Sequence, residues 1–226
     1  MLTNAAHARS RLLWVIVIAT LVLGAALWSG HPFVWLGWVA AERPKPTGPA
    51  RVSVADLMVP LPLPGGTGTA PVPLLFWYPT PTPPNAPFVM YGPAWGGDRS
   101  DNVTLAAELA SRGFVVAAYD DIARDPPELD ASTEDAAVRK SQLEVDTDAG
   151  RARTLAVFDR RVALQAAKVV LLLDALERAP SVLPADVTIS MQRVGMIGAS
   201  FGGAAAAEVA QRDPRKRIGA AVNLDG

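Results

Sequence analysis

Between a β-prone run, Arg193-Val194-Gly195-Met196-Ile197, and a strongly helical one, Ala204-Ala205-Ala206-Ala207-Glu208-Val209-Ala210, the chain reads Gly198-Ala199-Ser200-Phe201-Gly202-Gly203. A GxSxG in that setting makes a strand turn into a helix within one or two residues, which holds the serine in strained backbone angles. Such a turn tolerates no side-chain bulk close by, hence Gly198, Gly202 and Gly203. The Ser200 hydroxyl then projects above the C-terminal edge of a sheet. The backbone N–H of Phe201, at a helix N-terminus, points toward the same place and can stabilise a developing oxyanion. A GxSxG arises by chance in roughly one chain of fifteen at this length; the strand before it and the small-residue helix after it separate this one from accident.

The rest of the chain supplies the sheet that such an elbow needs. Val52 to Pro60 and Val72 to Tyr78 read as strands, separated by the Gly-rich turn Gly65-Gly66-Thr67-Gly68, an antiparallel beginning. The pattern then alternates: strand Phe88 to Tyr91, helix from Asn102 to Arg112, strand Phe114 to Tyr119, a long helix within 153–178, strand Arg193 to Ile197, helix 201–212 and strand Ala220 to Leu224. Helices of this length between strands imply parallel pairing with right-handed crossovers, an α/β sandwich. The charged stretch from Ile122 to Gly150 reads as a solvated excursion at the sheet edge, with a lid as the other possibility.

At 226 residues there is room for one domain and one membrane segment. From Leu12 to Trp28 there is no charge, Arg9 and Arg11 precede that run, and a span ending near Gly30 is long enough to cross a bilayer. The expectation is an uncleaved anchor within residues 1–42 that leaves the following domain on the exported side and contacts membrane lipid. A secreted protein with a cleaved signal is the alternative. Residues 43–50, rich in proline, read as a stiff linker, and the catalytic domain as 51–226. With 21 basic and 22 acidic residues no global field favours nucleic acid. The absence of cysteine removes disulfides, thiolate metal sites and a cysteine nucleophile. Only two histidines occur, His7 and His31, both in or beside the N-terminal apolar segment.

A second oxyanion donor is expected from the loop Gly92-Pro93-Ala94-Trp95-Gly96-Gly97, which follows the strand Phe88 to Tyr91; the N–H of Trp95 is the choice. That loop with Arg99, together with Leu75-Phe76-Trp77-Tyr78-Pro79, the run from Leu109 to Ala117, Ser200-Phe201-Gly202-Gly203-Ala204 and Ala221-Val222-Asn223-Leu224-Asp225, resembles the platelet-activating factor acetylhydrolase branch of the α/β-hydrolases. Dienelactone-hydrolase-like esterases are its cousins. The likeness covers roughly residues 70–226. Ala94 departs from it, standing where a glycine is usual.

The resemblance implies a serine nucleophile, Ser200, and a triad acid at the end of the strand after the nucleophile helix, Asp225. This carboxylate would orient a histidine and stabilise its imidazolium. It also implies hydrolysis of a carboxylic ester through an acyl-serine intermediate without metal or cofactor, on short-acyl phospholipid or related lipid esters. Another esterase, a thioesterase or a dienelactone-type hydrolase is the alternative. No histidine follows Asp225, and a serine hydroxyl is a weak nucleophile without a base. The expectation is therefore a C-terminally incomplete α/β-hydrolase, a fragment nearly inactive by itself. The remaining possibility is a truncated, non-catalytic, membrane-tethered protein.

Overall fold

The computed structural model describes residues 44–129 and 143–225; the apolar segment expected to span a membrane, and both histidines, lie outside these. Among the described residues no helix is long and apolar enough to cross a membrane. From Lys45 onward the chain forms one compact unit. The Pro-rich stretch expected as a solvated linker is tied to that unit. The Thr47 N–H and hydroxyl donate to the Glu108 carboxylate at 2.7 Å each, and the Ala50 N–H donates to the Ser111 carbonyl at 2.9 Å.

Six strands form one sheet: β1 (Arg51–Pro62), β2 (Thr69–Thr80), β3 (Ala86–Gly92), β4 (Val115–Tyr119), β5 (Ile189–Gly198) and β6 (Ile218–Asn223). The order is β1-β2-β4-β3-β5-β6. β1 pairs antiparallel with β2, and β2 antiparallel with β4, while β4, β3, β5 and β6 are mutually parallel. Among the described residues three α-helices join the parallel strands: α1 (Val103–Ser111), α2 (Asp148–Arg178) and α3 (Phe201–Arg212). The result is an α/β fold with a mixed, mostly parallel sheet, as the alternation of elements implies.

Strand periodicity sorts the side chains into two cores. Phe88 and Met90 of β3, with Val115, Ala117 and Tyr119 of β4, face Ala166, Val169, Leu172, Leu173 and Leu176 of α2 and Ala206 and Val209 of α3. Val89, Tyr91, Val116 and Ala118 point the other way, against Ala106 and Ala110 of α1. Each large apolar side chain fully buried in this way contributes about 1.5–3 kcal/mol. Helix α2 starts at a capped end, where the Thr147 hydroxyl accepts the Gly150 N–H at 2.9 Å, and carries Asp148 in its first turn and Arg178 in its last, both suited to the helix dipole.

Helix α2 is 31 residues long and begins at Asp148, earlier than the apolar periodicity indicates. Its first turns carry little apolar surface to reveal them. Of the charged excursion expected from Ile122 to Gly150, residues 130–142 lie outside the described residues; Ile122–Arg124 and Pro127–Leu129 are single 3₁₀ turns, and Asp148 to Gly150 are already helical. At the other edge of the sheet, β6 is exposed from Gly219 to Asn223.

Candidate active site

The elbow is built as its glycines require. Ser200 sits between the last residue of β5 and the first of α3 with φ 50° and ψ −116°, a left-handed conformation that is costly for any residue with a Cβ. A Cβ on Gly198 would fall 2.1 Å from the Gly202 carbonyl carbon, one on Gly202 would fall 2.2 Å from the Gly92 oxygen, and one on Gly203 would fall 1.9 Å from the Asn223 side-chain oxygen. The elbow is thus wedged between the ends of β3 and β6. The Ser200 side chain makes no capping hydrogen bond to α3, which leaves its hydroxyl uncommitted at the head of the helix.

Sheet register brings the other sequence-derived residues alongside. Gly92 of β3 pairs with Gly198, and the Ala199 N–H donates to the Gly92 carbonyl at 3.2 Å, so the loop after β3 starts beside the elbow. In that loop Ala94 to Gly97 close a turn through the Gly97 N–H and the Ala94 carbonyl at 2.9 Å, with Gly96 at φ +74°. The Trp95 ring then meets the Phe201 ring edge-on with centroids 4.9 Å apart, and Phe158 of α2 completes the cluster at 5.9 Å from Trp95 and 5.1 Å from Phe201. On the opposite side Gly198 pairs with Asn223, and the Leu224 N–H donates to the Gly198 carbonyl at 2.9 Å. Asp225 follows directly and is exposed; its N–H donates to the Asn223 side-chain oxygen at 3.1 Å. Ser200, Phe201, Trp95 and Asp225 therefore come from three adjacent strand ends.

What holds the Trp95 loop was not foreseen. Asp120 and Asp121, which follow the last residue of β4, are both buried. Asp120 accepts the Arg99 N–H and guanidinium, each at 2.7 Å. The Asp121 N–H donates to the Gly97 carbonyl at 3.2 Å, and its carboxylate pairs with Arg161 of α2. Arg124 adds a bond to the Gly96 carbonyl at 3.0 Å. Arg161 also stacks on the Trp95 ring, 4.5 Å from its centre. One turn further along α2 the Gln165 amide faces the Tyr119 hydroxyl without reaching hydrogen-bond geometry, and burial pushes the Tyr119 hydroxyl pKa up. Charged residues on an amphipathic helix read as solvated, so nothing in the sequence marks Arg161 as buried.

A hydroxyl at a strand-to-helix elbow, flanked by a helix N-terminus and a separate rigid loop, can be delivered to an electrophilic carbonyl while N–H dipoles receive the negative charge. Attack requires a base to take the hydroxyl proton, and the described residues contain no histidine. Among the described residues no cluster of carboxylates or imidazoles could hold a metal ion.

No protein-family model matches the chain, and no curated protein does. Solved structures do. A ferulic acid esterase from Streptomyces cinnamoneus matches over 83% of this chain with 24% sequence identity and a TM-score of 0.52. A cold-adapted esterase from an Arctic intertidal metagenomic library matches over 77% at 20% identity, with a TM-score of 0.47. This chain covers 62% of the length of each. The likeness to the first, at that identity, establishes a shared fold: the mixed sheet with its three helices is built like that of the Streptomyces esterase.

Proposed function

We propose that the chain belongs to the α/β-hydrolase superfamily and carries the nucleophile of a serine-dependent carboxylic ester hydrolase. The observation that carries this reading is the backbone of Ser200, a non-glycine residue at φ 50°, ψ −116° in a turn where three neighbouring glycines have no room for a Cβ. Strain of about 1–3 kcal/mol at one residue persists where the surroundings over-determine it, as at a nucleophile elbow.

In this mechanism Ser200 Oγ attacks the ester carbonyl, its proton passes to a general base, and the carbonyl oxygen becomes an oxyanion held by the N–H groups of Phe201 and Trp95. Collapse expels the alcohol, leaving an acyl-serine that water hydrolyses. Asp225 is assigned as the acid that orients the base, a role supported by its place one strand away from the elbow. We place the base outside residues 44–225. Without it the residual advantage over water is roughly 10³–10⁴.

The substrate reading is a small carboxylic ester, with short-acyl phospholipid esters in the platelet-activating factor acetylhydrolase manner as the finer proposal. The apolar N-terminal segment is proposed as the anchor that keeps the domain at a membrane on its exported side. The name of the Streptomyces enzyme favours an aromatic-acid ester as the second reading. Fluorophosphonate labelling of the full-length gene product tests the nucleophile: Ser200→Ala abolishes labelling, and equal labelling of both proteins refutes the assignment. Hydrolysis rates on short-acyl phospholipid and feruloyl esters then decide between the two substrates.

A further inference from the structure

We infer a second small-molecule site, separate from the serine elbow, that takes an uncharged amphiphile: an aliphatic chain ending in a hydrogen-bond donor such as an alcohol. It is a cavity of about 350 Å³ between the tip of the β1–β2 hairpin and helix α2. Its volume lies in the roughly 300–1,000 Å³ range of small-molecule pockets. Leu61, Pro62 and Leu63 form one wall and Leu164 and Leu171 of α2 the other, with Pro64 and Ala167 exposed at the mouth. None of Ser200, Phe201, Trp95 or Asp225 lines it. Lys168 and Arg161 stand two turns apart on α2, about 10 Å along the axis, which separates this cavity from the Trp95 ring.

The polar groups of the cavity decide the chemistry. Among the described residues its ionisable lining is one pair, Lys168 and Asp125, whose side chains are 5% and 6% exposed and in direct contact. Lys168 also donates to the Asp120 carbonyl at 2.7 Å and lies 5.4 Å from the centre of the Tyr119 ring. The lysine is thus committed. Asp125 accepts from it through Oδ1, and Oδ2 takes no hydrogen bond among the described residues. Burial raises the Asp125 pKa and lowers that of Lys168, so the pair is poorly solvated. A further carboxylate brought here would face Asp125 with no free cation in the lining among the described residues, whereas a neutral hydroxyl can donate to Oδ2 and leave the charge balance intact.

The test is isothermal titration of the full chain with 1-hexanol, 1-octanol and 1-decanol, with decanoate as comparison. Saturable one-to-one binding is expected, tightening about threefold to fourfold per methylene as apolar area is buried. Decanoate is expected to bind at least tenfold more weakly than 1-decanol, and Ala167→Trp, which fills the mouth, to weaken 1-decanol at least tenfold. Ser200→Ala is expected to leave it unchanged, so the outcome is independent of the esterase reading. A diazirine-bearing decanol, photolysed on the wild-type chain, is expected to label residues 61–64 or 164–171. Absence of saturable binding, decanoate binding as tightly as 1-decanol, or labelling at Trp95, Phe158 or Phe201 each overturns the site.

Discussion

The Arg161 guanidinium lies 4.5 Å from the centre of the Trp95 ring and forms an ion pair with Asp121, two residues past the end of β4. One buried cation thus links helix α2, the end of β4 and the loop proposed to supply an oxyanion donor. Removing it strands the Asp121 carboxylate in the interior. Arg161→Met is expected to lower unfolding free energy by about 3–5 kcal/mol, the usual cost of breaking a buried pair from one side. Arg161→Lys is expected to cost less, because it keeps the charge and loses the planar stack. Urea midpoints at constant m report both; a loss below about 1 kcal/mol for Arg161→Met would sink the clamp.

Ser200 offers a test in the opposite direction. Glycine tolerates its left-handed backbone, so Ser200→Gly relieves about 1–3 kcal/mol of strain against roughly 0.5–1 kcal/mol of added chain entropy. The expected result is a higher urea midpoint than for Ser200→Ala, with fluorophosphonate labelling lost in both. A midpoint for Ser200→Gly below that of Ser200→Ala contradicts the strained elbow.

The elbow glycines are expected to be intolerant for a different reason. In Gly198→Ala the new methyl meets the Gly202 backbone at 2.1 Å, which cannot yield without moving α3 away from β5. The expected loss is about 3 kcal/mol or more, at the upper end for overpacking. Gly66→Ala, at φ +82° in the β1–β2 turn with open space around it, is expected to lose only about 1–2 kcal/mol of conformational energy. Thermal midpoints that fall equally in the two variants count against close packing at the elbow.

Glu108 predicts a pH dependence. Hydrogen bonds from the Thr47 N–H and hydroxyl, then from Arg112, hold its carboxyl well below the ordinary value of 4.5, at about 2. A carboxyl depressed in the folded state stabilises the fold above its unfolded pKa, and that contribution is lost as pH falls through the folded value. The tether of residues 45–50 to α1 is therefore expected to weaken between about pH 4.5 and pH 2. Carboxyl chemical shifts measured by NMR give the answer: Glu108 titrating near 4.5 refutes the tether, and Glu108→Gln is expected to remove the transition.

Local pattern alone determined the element order and the elbow. The alternation of apolar runs and helical stretches put α3 at residues 201–212, where it is found, and the Gly198–Gly203 spacing announced a turn that only a strand-to-helix junction needs. These features are local because backbone sterics act over a few residues. Tertiary structure decided the rest. The neighbourhood of Trp95, Ser200 and Asp225 follows from the strand order β4-β3-β5-β6, which pairs Gly92 and Asn223 with Gly198 across long stretches of chain. The buried roles of Asp120, Asp121, Arg161 and Lys168 were invisible because a charged residue announces burial only through its partner. Those partners stand 40 or more residues away for Arg161 and Lys168, a separation that only the assembled sheet and its covering helix remove.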